Sequence, residues 1–278
     1  LLTQFHMDIA SSIQAVTEEI VLKMAKHVRN VTEKKYLCLA GGVALNCVAN
    51  GKLLRSGVFE DIYIQPAAGD SGGALGAALT VSNMMNREKR YTMISPALGR
   101  SYDNNEIIDL LKSSNLDLFK QNYYNNENEL LEYIVSQLID SKVIGFFQGP
   151  FEWGPRALGN RSIIVDPRIK DMKDLLNKKI KKRESFRPFA PSVLREEVKN
   201  WFEKDEDVPF MTHVFKVKKE KRNIIPAVVH EDGTGRLQSV TNNFNQRYYK
   251  LIKLFFDRTQ VPMILNTSFN ENEPIVNT

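Results

Sequence analysis

Side chains able to hold an anion are concentrated in the second half of the chain. The segment Phe147-Gln148-Gly149-Pro150-Phe151-Glu152-Trp153-Gly154-Pro155-Arg156-Ala157-Leu158-Gly159-Asn160-Arg161-Ser162 combines three glycines, two prolines, two arginines, a Trp and a Glu. A mere connector seldom needs that composition, so it reads as a binding loop after a strand, with a surface turn carrying solvated arginines as the plainer alternative. Downstream, Ile180-Lys181-Lys182-Arg183-Glu184-Ser185-Phe186-Arg187-Pro188-Phe189-Ala190-Pro191 sets basic groups just before an apolar strand. If this stretch is extended, Lys181 and Arg183 face one side and Lys182 the other. Paired cations of that kind suit a phosphate, which Arg binds through two parallel hydrogen bonds; a solvated basic helix end is the competing reading. Leu265-Asn266-Thr267-Ser268-Phe269-Asn270 places hydroxyl and amide groups at the end of a strand over 261–265, which suits a small polar ligand and is also ordinary turn chemistry.

Two further motifs lie in the first half. Leu39-Ala40-Gly41-Gly42-Val43-Ala44-Leu45-Asn46 runs from a strand through paired glycines into a helix, so backbone can approach a ligand and free N–H groups at the helix start favour an anion. Asn46 could bond a ribose, a phosphate or only the backbone, and the whole device is also a common strand-to-helix turn. Gln65-Pro66-Ala67-Ala68-Gly69-Asp70-Ser71-Gly72-Gly73-Ala74-Leu75-Gly76 repeats it one unit later, with Asp70 at the helix start, where capping is the default role. Two such units on one sheet edge would frame a nucleotide cleft.

The elements that must position these groups follow from periodicity. Apolar residues recur at helical spacing over 8–28; a short strand spans 35–40, a helix 43–54, a strand 61–65 and a helix 71–85 rich in Ala and Gly. This is a twice-repeated strand-turn-helix unit with a parallel component. Charged and turn-forming residues over 86–104 mark a linker, with the domain break placed near residue 96. Beyond it come helix 106–113, strand 116–119, helix 127–138 and strand 143–147, and then short elements at irregular spacing that predict an α+β second domain.

Composition narrows the function classes. The 278 residues are 42% apolar and 26% charged, ordinary for a globular enzyme and sufficient for two domains. The net charge of +5 is not spread evenly: residues 101–150 carry three basic and eight acidic side chains, whereas 151–190 carry eleven basic and five acidic. The positive charge is therefore local. Two cysteines, Cys38 and Cys47, argue against a disulfide framework and a thiolate zinc site, and for a reducing, cytoplasmic setting. The four histidines, His6, His27, His213 and His230, lack the spacing of a metal pair, and no Gly-x-Ser-x-Gly elbow, Walker loop or Cys/His nucleophile pattern occurs. No apolar run is long enough to span a bilayer and no signal pattern opens the chain. The chain starts at Leu1 within a helical pattern and stops at Thr278 after an apolar run, as expected of a piece of a longer polypeptide.

Together these motifs resemble the O-carbamoyltransferase family typified by NodU and the antibiotic carbamoyltransferases, over nearly the whole chain. The resemblance implies an α/β fold: residues 1–96 as the C-terminal part of an actin-like ATPase (ASKHA) domain, and 97–278 as an α+β YrdC-like domain. It implies a two-step reaction in which carbamoyl phosphate and ATP give carbamoyl-adenylate with release of pyrophosphate and phosphate. The carbamoyl group then passes to a hydroxyl of a small acceptor, a sugar or natural product. Carried over by motif, Gly41, Gly42, Asn46 and Gly69 would bind the adenylate. Arg156, Lys181, Arg183, Ser268 and Asn270 would hold carbamoyl phosphate, with Arg187 in support. Asp70 would bind a divalent metal, iron in characterised relatives, whose remaining upstream ligands have no counterpart here, so the metal site is incomplete in this chain. A homodimer is compatible with this reading; membrane insertion is not.

Carbamoyl phosphate is small, doubly charged and labile in water, so its site must supply fixed cationic donors and exclude solvent, as the 151–190 cluster beside apolar strands can. Two competing readings remain. One is an enzyme of threonylcarbamoyl-adenylate formation or tRNA modification, which shares the folds; the other is a non-catalytic nucleic-acid-binding protein using the net positive charge. A positive surface expected only around 151–190 counts against the first, whereas the second would bind with a steep salt dependence and would not respond to carbamoyl phosphate.

Overall fold

A computed structural model describes residues 2–86, 92–114, 119–271 and 273–277. The first unit begins with α1 (Gln4–Thr32), which is followed by β1 (Tyr36–Leu39), a 3₁₀ turn (Gly42–Leu45), α2 (Cys47–Arg55), β2 (Asp61–Ile64) and α3 (Ser71–Met85). β1 and β2 pair in parallel, Tyr36 opposite Asp61 and Leu39 opposite Ile64, as the repeated strand-turn-helix pattern requires. The single helix expected over 43–54 is instead two pieces. Asn46 breaks it with ψ 88° and accepts the Ala49 N–H on its side chain at 3.1 Å, capping α2. A small core of Ala25, Ala44, Leu53, Phe59, Ile62, Ile64 and Ala68 holds the unit. A two-stranded sheet cannot cover a 29-residue helix, so along α1 only Ala25 is buried while Phe5, Ile13 and Met24 are more than 60% exposed.

α4 (Asn104–Ser113), closed by an Asp103–Glu106 capping box, and α5 (Glu127–Ile139) lead into the second unit. The strand expected over 116–119 falls almost wholly outside the described residues. The unit continues through β3 (Ile144–Phe147), β4 (Arg161–Val165), α6 (Met172–Leu175) with a π turn (Leu176–Ile180), β5 (Ala190–Leu194), α7 (Val198–Trp201), β6 (Phe215–Lys216), β7 (Thr234–Gly235), β8 (Gln238–Val240), α8 (Gln246–Thr259) and β9 (Met263–Ser268). A five-stranded sheet runs β3-β4-β9-β5-β8, antiparallel except for the β5–β8 pair, while β6 and β7 form a separate ribbon. α5 and α8 pack together, and α8 lies against β5 and β9, burying Leu138, Phe255, Leu251, Ile264 and Val193 in one core. This is a mixed α/β chain whose second unit is α+β.

Helix α2 is tied to the second unit at several points, among them the Val214 N–H donating to Cys47 O at 3.2 Å. Asn50 on α2, 1% exposed, donates from Nδ2 to Ala44 O at 2.8 Å within its own unit and to Thr212 O at 2.9 Å in the other. Arg55 reaches Val214 O at 3.2 Å from the same helix. Asn50→Leu leaves two buried carbonyls unpaired and is expected to cost about 1–3 kcal/mol, read as a lower urea midpoint at unchanged slope. An unchanged midpoint contradicts the role of Asn50 as the buried tie.

Candidate functional site: a cationic cavity and a bridging loop

The turn-rich segment connects β3 to β4, and two buried side chains of opposite charge hold it. Glu152, 4% exposed, accepts at Oε1 the N–H groups of Leu158 (2.8 Å), Asn160 (2.7 Å) and Arg161 (3.4 Å). Burial pushes its carboxyl above the usual range, and those backbone hydrogen bonds oppose the shift. Arg161, with no exposed surface, does the converse: Nη1 donates to the carbonyls of Gln148 (2.7 Å), Gly149 (3.1 Å) and Asn160 (3.1 Å), and its guanidinium stacks 3.6 Å from the centre of the Phe147 ring. Between these anchors the loop reaches back to the first unit. Trp153 Nε1 donates to Ser71 O at 3.1 Å, at the start of α3, and Gly154 lies against Pro66. Gly154 has φ +130°, and a Cβ there would sit 2.9 Å from Pro66 O, so only glycine fits.

Arg156 follows and lines a cavity of about 220 Å³ together with Arg183, Arg187, Arg236, Asn266 and Ser268. That volume is below the range of about 300–1,000 Å³ typical of drug-sized ligands, so the cavity suits a small one. Among the described residues no carboxylate lines it. Among the described residues Arg156, Arg183 and Arg236 make no ion pair, and only Arg187 has one, to Glu184 at 2.8 Å. Burial, reinforced by the like charge of Arg236, lowers Arg156 to about 10. Burial and the nearby Arg187 and Arg236 pull Arg183 down as well. Arg236 Nε is buried without a hydrogen-bond partner among the described residues.

Arg183 is fixed by Nε donating to Asn177 Oδ1 at 2.7 Å and by the Phe189 ring 4.9 Å from its guanidinium carbon. Lys181, 1% exposed, donates from Nζ to Ser268 O (2.5 Å), Asn270 O (2.8 Å) and Asn270 Oδ1 (2.9 Å), with Ser268 Oγ at 3.3 Å. Residues 181, 183, 268 and 270 therefore do gather, but not as an extended pair. The π turn ends at Lys181, whose N–H bonds Leu176 O, and Lys182 takes φ +43° to end the helix and pairs outward with Glu271 at 2.6 Å. Convergence comes from a helix end closing onto the β9 terminus. Ser268 is the last residue of that strand, three beyond the expected end. Arg236 was not anticipated. It stands alone between the two short strands β7 and β8, and no local pattern in the sequence marks it.

In the first unit, Gly41, Gly69 and Asp70 line a second cavity of about 560 Å³ along the start of α3. Gly41, at φ +99°, donates its N–H to Ala68 O at 2.7 Å, joining the two glycine turns. Gly42 and Asn46 are not among its lining residues. Asn46 caps α2 and donates to Gln14 Oε1 on α1 at 2.9 Å, so its amide is engaged by the protein. Asp70 is exposed and makes no capping bond to α3, contrary to the default role of an acid at a helix start. As a metal ligand it stands alone: among the described residues no three His, Cys, Asp or Glu side chains come together. The described residues thus do not by themselves build a metal site, and no chemistry below passes through one.

Residues 2–79 match the family description "Carbamoyltransferase N-terminus" and residues 135–278 match "Carbamoyltransferase C-terminus". The chain belongs to the carbamoyltransferase family. Similar relatives are an uncharacterized protein of Synechocystis sp., 46% identical over 99% of this chain and 49% of that protein. Nodulation protein NolNO of Sinorhizobium fredii is 45% identical over 99% of this chain and 41% of its own length. Nodulation protein NolO of Bradyrhizobium diazoefficiens is 44% identical over 99% and 50%. The chain spans about half the length of these relatives. Among the described residues no helix is long and apolar enough to cross a membrane.

Burial lowers the Lys181 ammonium to about 8, with the Arg183 charge adding to the shift, so Lys181 is charged below that pH and neutral above it. Sulfate keeps both its charges throughout, so its affinity for this carbamoyltransferase-family chain is expected to fall about fivefold between pH 7 and 9 as the Lys181 charge is lost. In the same window the unfolded chain binds the extra proton, so the Lys181 contribution to folding stability rises with pH. Calorimetric titration checks the first effect; a wild-type profile identical to that of Lys181→Met contradicts it.

Proposed function

We propose that this chain binds carbamoyl phosphate in the cavity formed by Arg156, Arg183, Arg187 and Arg236, that one water from solvent cleaves it to phosphate and carbamate, and that a carbamate oxygen then attacks the α-phosphorus of ATP, forming carbamoyl-adenylate as the bond to pyrophosphate breaks. The carbamoyl group then passes to a hydroxyl of a sugar or natural product, a step that belongs to the whole protein of which relatives are about twice this length. One observation carries the reading: four arginines line a small cavity that, among the described residues, no carboxylate lines. Uncompensated cations at that spacing are costly, and a dianion relieves the cost while being held by charge-assisted hydrogen bonds.

In this reading each residue has a physical task. Arg156 and Arg183 hold the phosphoryl oxygens, and Arg236 offers its Nε–H, which is unpaired among the described residues. Arg187 adds charge from the rim, where Glu184 steadies it. Lys181 fixes the Ser268–Asn270 turn, keeping the Ser268 hydroxyl at the cavity wall. Apolar Phe189, Ala157 and Met211 in the same wall limit water, which a labile acyl phosphate requires. The adenylate would occupy the larger cavity along Gly41, Gly69 and Asp70, which is of nucleotide size, with α3 amides near its phosphate. An actin-like first domain and a YrdC-like second domain are part of this proposal.

Carbamoyl phosphate at about a hundred times its Kd stabilises by about 2.7 kcal/mol, raising Tm by about 5–10 °C. The Arg236→Ala variant is expected to lose that shift, and RNA to cause none. A Tm raised by RNA but indifferent to carbamoyl phosphate overturns the enzymatic reading in favour of a nucleic-acid-binding one. In carbamoyl-phosphate-dependent exchange of pyrophosphate into ATP, Arg183→Ala is expected to fall at least about tenfold below the parent chain, in line with the loss of a charged hydrogen bond. Equal rates for the two remove Arg183 from the site.

A further inference from the structure

Asn266 lies within β9, 2% exposed, and also lines the cationic cavity. The orientation of its amide is dictated by a hydrogen-bond chain that starts at a backbone carbonyl. Gln238 Nε2 donates to Leu158 O at 2.9 Å, which turns the Gln238 amide oxygen the other way. That oxygen accepts from Ser192 Oγ at 2.7 Å and from Asn266 Nδ2 at 3.2 Å. Asn266 Nδ2 also donates to Ala157 O at 3.1 Å and lies 3.1 Å from Ser192 Oγ. Turning the Asn266 amide over would set its oxygen against two acceptors, Ala157 O and Gln238 Oε1, so the assignment is enforced by the network. What is left over is Asn266 Oδ1, buried and without a hydrogen-bond partner among the described residues.

The charged groups facing this cavity are all donors, whereas Asn266 Oδ1 is purely an acceptor. A ligand that satisfies both must carry an anion at one end and an N–H or O–H donor close by. We infer that Asn266 Oδ1 accepts a hydrogen bond from the amide nitrogen of carbamoyl phosphate and makes the cavity select this acyl phosphate over acetyl phosphate. The inference rests on the proposed function and adds the residue that reads the acyl end. Acetyl phosphate has the same phosphate and carbonyl and a methyl group of similar size in place of NH₂, so shape alone does not separate the two. A methyl against Oδ1 leaves a buried acceptor unmatched, and that mismatch is the source of discrimination. Ser192 and Gln238 act as positioning residues, because they hold the Asn266 amide with its oxygen outward from the network.

The test is calorimetric titration of the 278-residue chain with carbamoyl phosphate, acetyl phosphate and inorganic phosphate. Carbamoyl phosphate is expected to bind at least about tenfold more tightly than acetyl phosphate, and Asn266→Ala to bring that ratio close to one while inorganic phosphate changes by less than about threefold. Gln238→Leu, which frees the amide to turn, is expected to lower the ratio as well. Equal affinities of the parent chain for the two acyl phosphates overturn the inference and leave the anion cavity standing. So does a folded Asn266→Ala variant that keeps the full preference. If none of the three anions binds, the inference falls together with the proposed function. Should Asn266→Ala fail to fold, the ratio measured on the parent chain decides alone.

Discussion

Four arginines line one small cavity with no acid beside them among the described residues, and much of the second unit serves to hold them there. Their mutual repulsion and partial burial appear directly in Arg156 and Arg183, both less basic than an arginine in water. Three of the four are held by different devices. Arg183 is pinned by the Asn177 amide and an aromatic face, Arg187 by a rim carboxylate, and Arg156 by a loop whose backbone is fixed at both ends. None of these devices neutralises the cluster from inside the cavity. In the proposed function that task falls to a dianionic ligand.

The loop deserves its length because it spans two requirements. Glu152 collects amides and Arg161 collects carbonyls, so two buried charges compensate backbone dipoles rather than each other. With both ends fixed, the middle of the loop touches Pro66 and Ser71 in the first unit through Gly154 and Trp153, and then turns Arg156 into the cavity of the second. The same short stretch thus lies against the wall of the glycine-lined cavity and forms part of the cationic one. In the proposed reaction, such a contact would keep the two cavities in register.

Much of this could be read from residue types. Helical and strand periods located α1, β1, β2, α3 and α5, and the parallel pairing of β1 with β2 followed from two strand-turn-helix units in succession. The turn-rich 147–162 segment and the Lys181, Arg183, Ser268 and Asn270 group also stood out, because paired cations and turn hydroxyls are dense there. Three things were not legible. The path at Lys181 looked extended because side-chain alternation was assumed, whereas a π turn and a left-handed Lys182 deliver the same convergence. Asn46 looked like a ligand group, but an Asn just before a helix satisfies the orphan N–H groups first. Arg236 and the orientation of Asn266 depend on β8 lying beside β5 and on contacts 28 to 109 residues apart in sequence, which no local window contains.

The most direct measurement is an experimental structure of the chain with carbamoyl phosphate or inorganic phosphate bound. The account predicts one anion within hydrogen-bonding distance of Arg156, Arg183 and Arg236 together, inside the cavity closed by Ala157 and Phe189. An anion bound elsewhere, or those three guanidiniums turned away from one another into bulk water, contradicts it.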